Sequence, residues 1–133
     1  MSEEVKALWA RALSDLAAAE ALVNLEFHDA AASRAYYSAF AGVSALFLSE
    51  GRSFRKHSQI ESAVHRDLVH TARWDISLGA DFSFLRSLRS TGDYGSVLRV
   101  TESESLQAIA ASRRILEAIR EIRQDLFNRV FGD

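Results

Sequence analysis

The stretch that decides the fold is Asp29-Ala30-Ala31-Ala32-Ser33-Arg34-Ala35-Tyr36-Tyr37-Ser38-Ala39-Phe40-Ala41-Gly42-Val43-Ser44-Ala45-Leu46-Phe47-Leu48-Ser49. Tyr36, Phe40, Val43 and Phe47 recur at steps of four, three and four, which puts them on one face of an α-helix. Gly51 follows where a helix would end in a left-handed residue. The apolar run Ala39–Leu48 is the longest in the chain, yet a membrane span needs about 20 such residues. It therefore reads as core, and the helix as one member of a bundle.

Outward from this run the same periodicity continues. Towards the N-terminus, Val5, Leu8, Trp9, Ala12, Leu16, Ala19 and Val23 define a helix over residues 2–24. Ser2 is its N-cap, and Glu3 and Glu4 favour its positive end. Towards the C-terminus, residues 51–57 make a basic connection. A third helix runs to about Thr71 with Ile60, Val64 and Leu68 inward, and residues 72–79 read as a loop. A fourth helix runs from about Asp81 to Gly92 with Phe82, Leu85 and Leu88 apolar. The fifth opens with a capping box, Thr101 followed three residues on by Glu104, and continues through Ile109, Leu116, Ile119, Ile122 and Leu126 to about Phe127.

The 133 residues contain no proline and six glycines, a composition that favours long helices over turn-rich β folds. The expectation is one all-α domain over residues 1–133, an antiparallel bundle of about five helices. With no cysteine there is no disulfide framework and no thiolate metal site. The acidic start Met1-Ser2-Glu3-Glu4 does not resemble a signal peptide, so a cytoplasmic protein is expected. A net charge of −2 gives no general attraction to nucleic acid. The cations are nearly all arginine, Lys6 and Lys56 being the only lysines, and arginine's planar fork suits phosphate.

No phosphate loop, zinc-protease motif, cysteine nucleophile or calcium loop is present. Four sets of residues remain. Arg34 and Tyr37 share a helix face with the small residues Ala30, Ala41 and Ser44, which lets a ligand or another helix come close; the alternative is an arginine paired with an acid inside the bundle. His57, Glu61 and His65 step by four, but His57 and His65 would stand about 12 Å apart along the axis. One ion cannot take both, so no metal is expected, and Glu61 and His65 read as a solvated face. Arg86, Arg89 and Asp93 share a face with Phe82. An Arg89–Asp93 pair at i, i+4 either ties down the helix end or, with Tyr94, presents a fork and a phenol to phosphate and base. Finally, Arg113, Arg114, Arg120, Arg123 and Arg129 alternate with Glu117, Glu121 and Asp125, the pattern of a solvated face.

Ser33-Arg34-Ala35-Tyr36-Tyr37-Ser38-Ala39-Phe40, then Lys56-His57-Ser58, then Leu88-Arg89 leading to Asp93-Tyr94-Gly95, together resemble the short prokaryotic HEPN domains over residues 5–122. The resemblance implies a helical bundle, commonly a homodimer, often working with a minimal nucleotidyltransferase as toxin and antitoxin. Several relatives of this kind are metal-independent endoribonucleases, whose motif is an arginine followed after four to six residues by a histidine. Arg89 matches the arginine, four residues intervene, and Tyr94 stands where the histidine would. No histidine follows His70. A phenol with a pKa near 10 is a poor base at neutral pH. The chain thus resembles the Arg-then-Asp-Tyr branch, and the expected function shifts from cleavage to binding of nucleotide or RNA. Arg34, Tyr37, His57, Arg89 and Tyr94 are the expected ligand-binding residues, and no cofactor is expected. If the protein is a nuclease, Arg89, Asp93 and Tyr94 carry the reaction, with His57 as a substitute base. The family analogy also makes Tyr94 an acceptor for nucleotidylation by the partner, although relatives carry that tyrosine beyond the motif histidine and position 96 here is Ser. A purely structural dimerisation domain is the third reading.

Overall fold

The computed structural model describes residues 2–94 and 99–127, with Tyr94 described by its backbone alone. Five α-helices follow one another: α1 (Glu3–Asn24), α2 (His28–Ser49), α3 (His57–Ala63), α4 (Ile76–Tyr94) and α5 (Glu102–Ile122). Among the described residues no strand forms, and no helix is long and apolar enough to cross a membrane.

The helix starts follow the chemistry of their caps. Ser2 Oγ accepts from the Val5 N–H, closing the first turn of α1. Thr101 and Glu104 satisfy each other's backbone N–H groups at the start of α5, at 2.9 and 3.1 Å. The α1–α2 link is only three residues long. Glu26 takes the left-handed conformation there, with φ 67°, so that the Phe27 N–H can return to the Leu22 carbonyl at 2.9 Å. So short a link makes α1 and α2 an antiparallel pair, the most extensively packed in the molecule.

The central helix is α2, which packs on α1, α4 and α5. Tyr36, Val43, Leu46 and Phe47 are wholly buried, together with Phe82 and Leu85 of α4 and Ile115, Leu116 and Ile119 of α5. The expected inward faces are therefore the buried ones, except that Leu8, Val23, Phe40, Ile122 and Leu126 pack only at the edge of the core. Gly42 permits the closest approach of α2 to α5. A Cβ there would stand 2.5 Å from Leu116 Cδ2.

Three boundaries differ from expectation. Helix α3 does not run evenly to Thr71. Val64–Val69 continues it as a π-helical segment, one turn wound wider, which still delivers Val64 and Leu68 to the core. Helix α4 begins at Ile76, five residues before Asp81, because the Asp75 carboxylate accepts from the Ser77 N–H at 3.0 Å and acts as its cap. Gly79 stays within this helix because its missing side chain leaves room for Val69 Cγ2, which a Cβ would meet at 2.9 Å. Helix α5 ends at Ile122, before the expected Phe127. The chain then turns, and Phe127 packs its ring 4.6 Å from Trp9.

The expected solvated faces are also partly corrected. Arg113 pairs with Glu20 of α1 and Arg114 with Asp81 of α4, the latter at 2.9 Å. Arg123 Nη1 donates to Ser49 Oγ of α2 at 3.2 Å. These arginines tie α5 to its neighbours. Arg129 lies outside the described residues.

Candidate functional site

Two aromatic rings on α2 organise the candidate site. Tyr36 and Tyr37 are adjacent in sequence, so their side chains diverge by about 100° around the helix. Tyr36 turns into the core and is wholly buried. Tyr37 lies at the rim, with its ring edge-on to Tyr36 at 5.1 Å between centroids. Both rings carry a guanidinium. Arg89, from α4, sits 5.1 Å from the Tyr36 centroid and 5.7 Å from that of Tyr37. Arg34, one turn before Tyr37, sits 5.0 Å from the Tyr37 centroid. A cation over an aromatic face is held by about 0.5–2 kcal/mol, more as water is excluded. The Arg89 side chain is only 18% exposed.

His57 joins this cluster from the start of α3. Its ring lies 4.2 Å from the Phe40 ring and 6.3 Å from that of Tyr37. Arg34, His57 and Arg89, from three different helices, thus surround the single ring of Tyr37. Arg34 Nη1 also donates to Asp15 Oδ1 of α1 at 3.4 Å, a long bond at a half-exposed position. The arginine is paired with an acid, but at the rim of the bundle. Leu8, Arg11, Asp15, Tyr37, Ser44 and His57 help line a groove of about 350 Å³ here.

Beneath the cluster lies a group that the sequence reading assigned to solvent. The Tyr36 hydroxyl donates to Glu61 Oε2 at 2.7 Å, and the same carboxylate oxygen lies 3.2 Å from Arg86 Nε. The Glu61 side chain is 15% exposed. Glu61 therefore anchors the ring on which Arg89 rests. Burial and the Glu61 carboxylate push the Tyr36 phenol well above the usual tyrosine range, opposed in part by Arg89. Tyr36 is a neutral donor at every physiological pH. His65 likewise faces α4, with Nε2 3.3 Å from Ser83 Oγ. Glu61 was missed because only the packing of α3 against α2 and α4 reveals its partners. The one signal in sequence was its place directly after the inward-facing Ile60.

Asp93 lies 3.7 Å from Arg89 Nη1, one turn further along α4. The pair ties the end of α4 loosely while Arg89 remains over the tyrosines. Tyr94 is the last residue of α4; its side chain, and the Gly95 and Ser96 that follow, lie outside the described residues. Nearby, Asp29 of α2 secures the return of the chain to α5, accepting from the Val100 N–H at 2.9 Å and from Arg99 at 3.0 Å. Gly92 allows this approach, since a Cβ would come within 3.0 Å of the Asp29 carbonyl oxygen. Among the described residues no group of three or more His, Asp or Glu is placed to hold a metal ion.

A helical bundle with an arginine on its fourth helix, held over a tyrosine pair of the second, defines a class, and the family comparison agrees. The HEPN domain model matches residues 5–122, and the chain belongs to that family. Among its relatives is a UPF0332 protein of Thermotoga maritima, 34% identical over 125 residues that cover 93% of this chain and 95% of that one. Another is the Methanocaldococcus jannaschii protein named "Putative toxin MJ0142", 32% identical over 102 residues that cover 77% of this chain and 69% of that one.

Proposed function

We propose that the protein is a homodimeric HEPN module that binds nucleotide or RNA and acts with a minimal nucleotidyltransferase as one component of a toxin–antitoxin pair. The observation that carries this reading is the cluster around Tyr37, where two guanidinium groups, Arg34 and Arg89, lie over one half-buried ring. Guanidinium forks grip phosphate oxygens in pairs, and a tyrosine face at a groove offers a base a surface to stack on. Family membership and the relative named as a toxin support the same reading. By the family resemblance Tyr94, whose side chain lies outside the described residues, is the phenol that would stack on or hydrogen-bond a base, and an acceptor hydroxyl for nucleotidylation by the partner.

A second reading, a metal-independent endoribonuclease, is favoured by one observation. The His57 ring lies 6.3 Å from the Tyr37 centroid and the Arg89 guanidinium 5.7 Å from the same centroid, so an imidazole borders the ring that the motif arginine covers, although Tyr94 replaces the motif histidine. In that reaction His57 takes the proton of a ribose 2′-hydroxyl, whose oxygen attacks the adjacent phosphorus. The bond from phosphorus to the 5′-oxygen breaks, that oxygen takes a proton from water, a 2′,3′-cyclic phosphate remains, and Arg89 holds the charge on the phosphate.

Labelled RNA and labelled nucleotide, each with and without chelator, separate the readings. Binding without cleavage, weakened about tenfold or more in Arg89→Ala and Arg34→Ala, supports the module, since a charge-assisted contact contributes about 1.5–3 kcal/mol. Chelator-resistant cleavage lost in Arg89→Ala and His57→Ala supports the nuclease. If both arginine variants change thermal stability alone, the domain is structural and both readings fail.

A further inference from the structure

The groove at Tyr37 does not end at His57. Leu8, Phe40, Ser44 and His57 also border a second depression of about 320 Å³, which extends past Arg52, Phe54 and Lys56. Ser53, Phe54 and Arg55 are shared in turn with a third, of about 600 Å³, lined by Ser58, Gln59, Ser62 and Arg66. Through these shared walls the three lie in series along α2 and over the α2–α3 connection, marking out one path, termed the channel. Its walls are basic, although the chain carries a net charge of −2. Arg11, Arg34, Arg52, Arg55, Lys56 and Arg66 line it, against Glu4 and Asp15.

The details of the connection fit a polyanion. Asp67 neutralises Arg52 and Arg66, at 2.8 Å from each. Arg55 and Lys56 have no acidic partner among the described residues and are exposed. Their backbone is nevertheless fixed, because Gln59 Oε1 accepts from both N–H groups, at 3.1 and 3.2 Å. Along the same path lie the rings of Tyr37, Phe40 and Phe54, all only partly buried. Phe54 is braced edge-on by Phe47 at 5.5 Å, with Arg52 5.1 Å from its centroid. A positive groove with aromatic faces set along it is the arrangement that holds single strands without regard to sequence.

We propose that this channel is a binding track for single-stranded RNA, leading from the Arg34–Tyr37–Arg89 site across Phe54, Arg55 and Lys56 to Arg66. The inference rests on the functional reading above and narrows it: the ligand is a strand of several nucleotides, and a mononucleotide would occupy only one end of its path. Phosphates lie along Arg55 and Lys56, whose charges no acid among the described residues offsets, and bases stack on the half-buried rings. A duplex, with its bases enclosed, cannot use those rings.

The test is fluorescence anisotropy with three probes on the full chain: a labelled single-stranded RNA of about ten nucleotides, within the range of such sites, the same RNA annealed to its complement, and a labelled mononucleotide. The single strand should bind more tightly than either of the others. Arg55→Ala/Lys56→Ala should weaken the strand about tenfold at low salt. It should also flatten the plot of log affinity against log salt by about 1.4, or about 0.7 for each of two phosphates that the variant no longer neutralises. Mononucleotide binding should not move. Lys6→Glu, which alters net charge equally but lies outside the channel, should leave all three unchanged. Equal affinity of the double variant and wild type for the strand overturns the track while leaving the functional reading intact, as does tighter binding of the duplex. Binding of neither strand nor mononucleotide overturns both. If the double variant changes only the sedimenting mass, the surface is an interface between copies of the chain and the track is overturned.

Discussion

A single hydroxyl illustrates how this bundle combines stability with a polar interior. Tyr36 fills the centre of the core with its ring and places its oxygen on Glu61. A hydrogen bond to a charged group contributes about 1.5–3 kcal/mol, and an abandoned partner costs its desolvation. Tyr36→Phe should therefore lose about 2 kcal/mol at neutral pH. The pH dependence carries a further signature. The folded-state pKa of Tyr36 is raised, so the folded protein retains a proton that the unfolded chain releases near pH 10. This contribution is fully present below about pH 10 and is lost as pH rises beyond it. Urea unfolding at pH 7 and pH 11 should show the gap between wild type and Tyr36→Phe closing at the higher pH. A constant gap would mean that the phenol is not the titrating group. The same residue shows what a sequence can disclose. Its helical spacing marked it as core, whereas nothing in the one-dimensional pattern joined it to Glu61, 25 positions away.

At the scale of elements, the helices were legible wherever a local signal set them. Ser2 and the Thr101–Glu104 box fixed two starts, and the periodicity of α2 fixed its buried face. The start of α4 was obscured because Gly79 weakens a helical pattern, and its role is to clear Val69 and His65. The π-helical turn at Val64–Val69 has no signature in local propensity. In the candidate site, Arg34, Tyr37, His57 and Arg89 were each visible, but their convergence on one ring depends on how α3 and α4 cross α2. Packing between elements also gives the sharpest stability prediction. Gly42→Ala gains about 1 kcal/mol in helix propensity. The new methyl, however, meets Leu116 Cδ2 at 2.5 Å and Ile119 Cδ1 at 3.1 Å, and both side chains are wholly buried, so they must repack to admit it. Overpacking of this kind costs about 1–3 kcal/mol. The net change should be a loss of about 1 kcal/mol, and Gly42→Val should be worse. Thermal unfolding should show Tm falling in that order; a rise for Gly42→Ala would show that α5 yields to α2.

For the molecule as a whole, the remaining question is what the outer face of α2 meets. A fully buried helix would leave no such face, but Ala30, Arg34, Tyr37, Ser44 and Leu48 all retain exposure. With Ala41 they recur at steps of four, three, four, three and four, the spacing of a helix that packs against a neighbour. Small side chains at Ala30, Ala41 and Ser44 permit close approach, while Arg34 and Tyr37 belong to the candidate site. A homodimer formed at the Ala30 end of this stripe would leave the Tyr37 groove and the Phe54–Arg66 end of the channel open. A stable interface takes about 800 Å² from each copy, a modest share of the 7248 Å² surface of the chain. Association by mass action then makes stability depend on concentration. A tenfold increase in protein should favour the folded dimer by about 1.4 kcal/mol and raise Tm by several degrees. Ala30→Arg, at an exposed position, should bring like charges together across the two-fold axis, abolish that dependence and halve the sedimenting mass, with the helical spectrum unchanged. A Tm independent of concentration, with the mass of one chain throughout, would instead mean that each site is complete within a single copy.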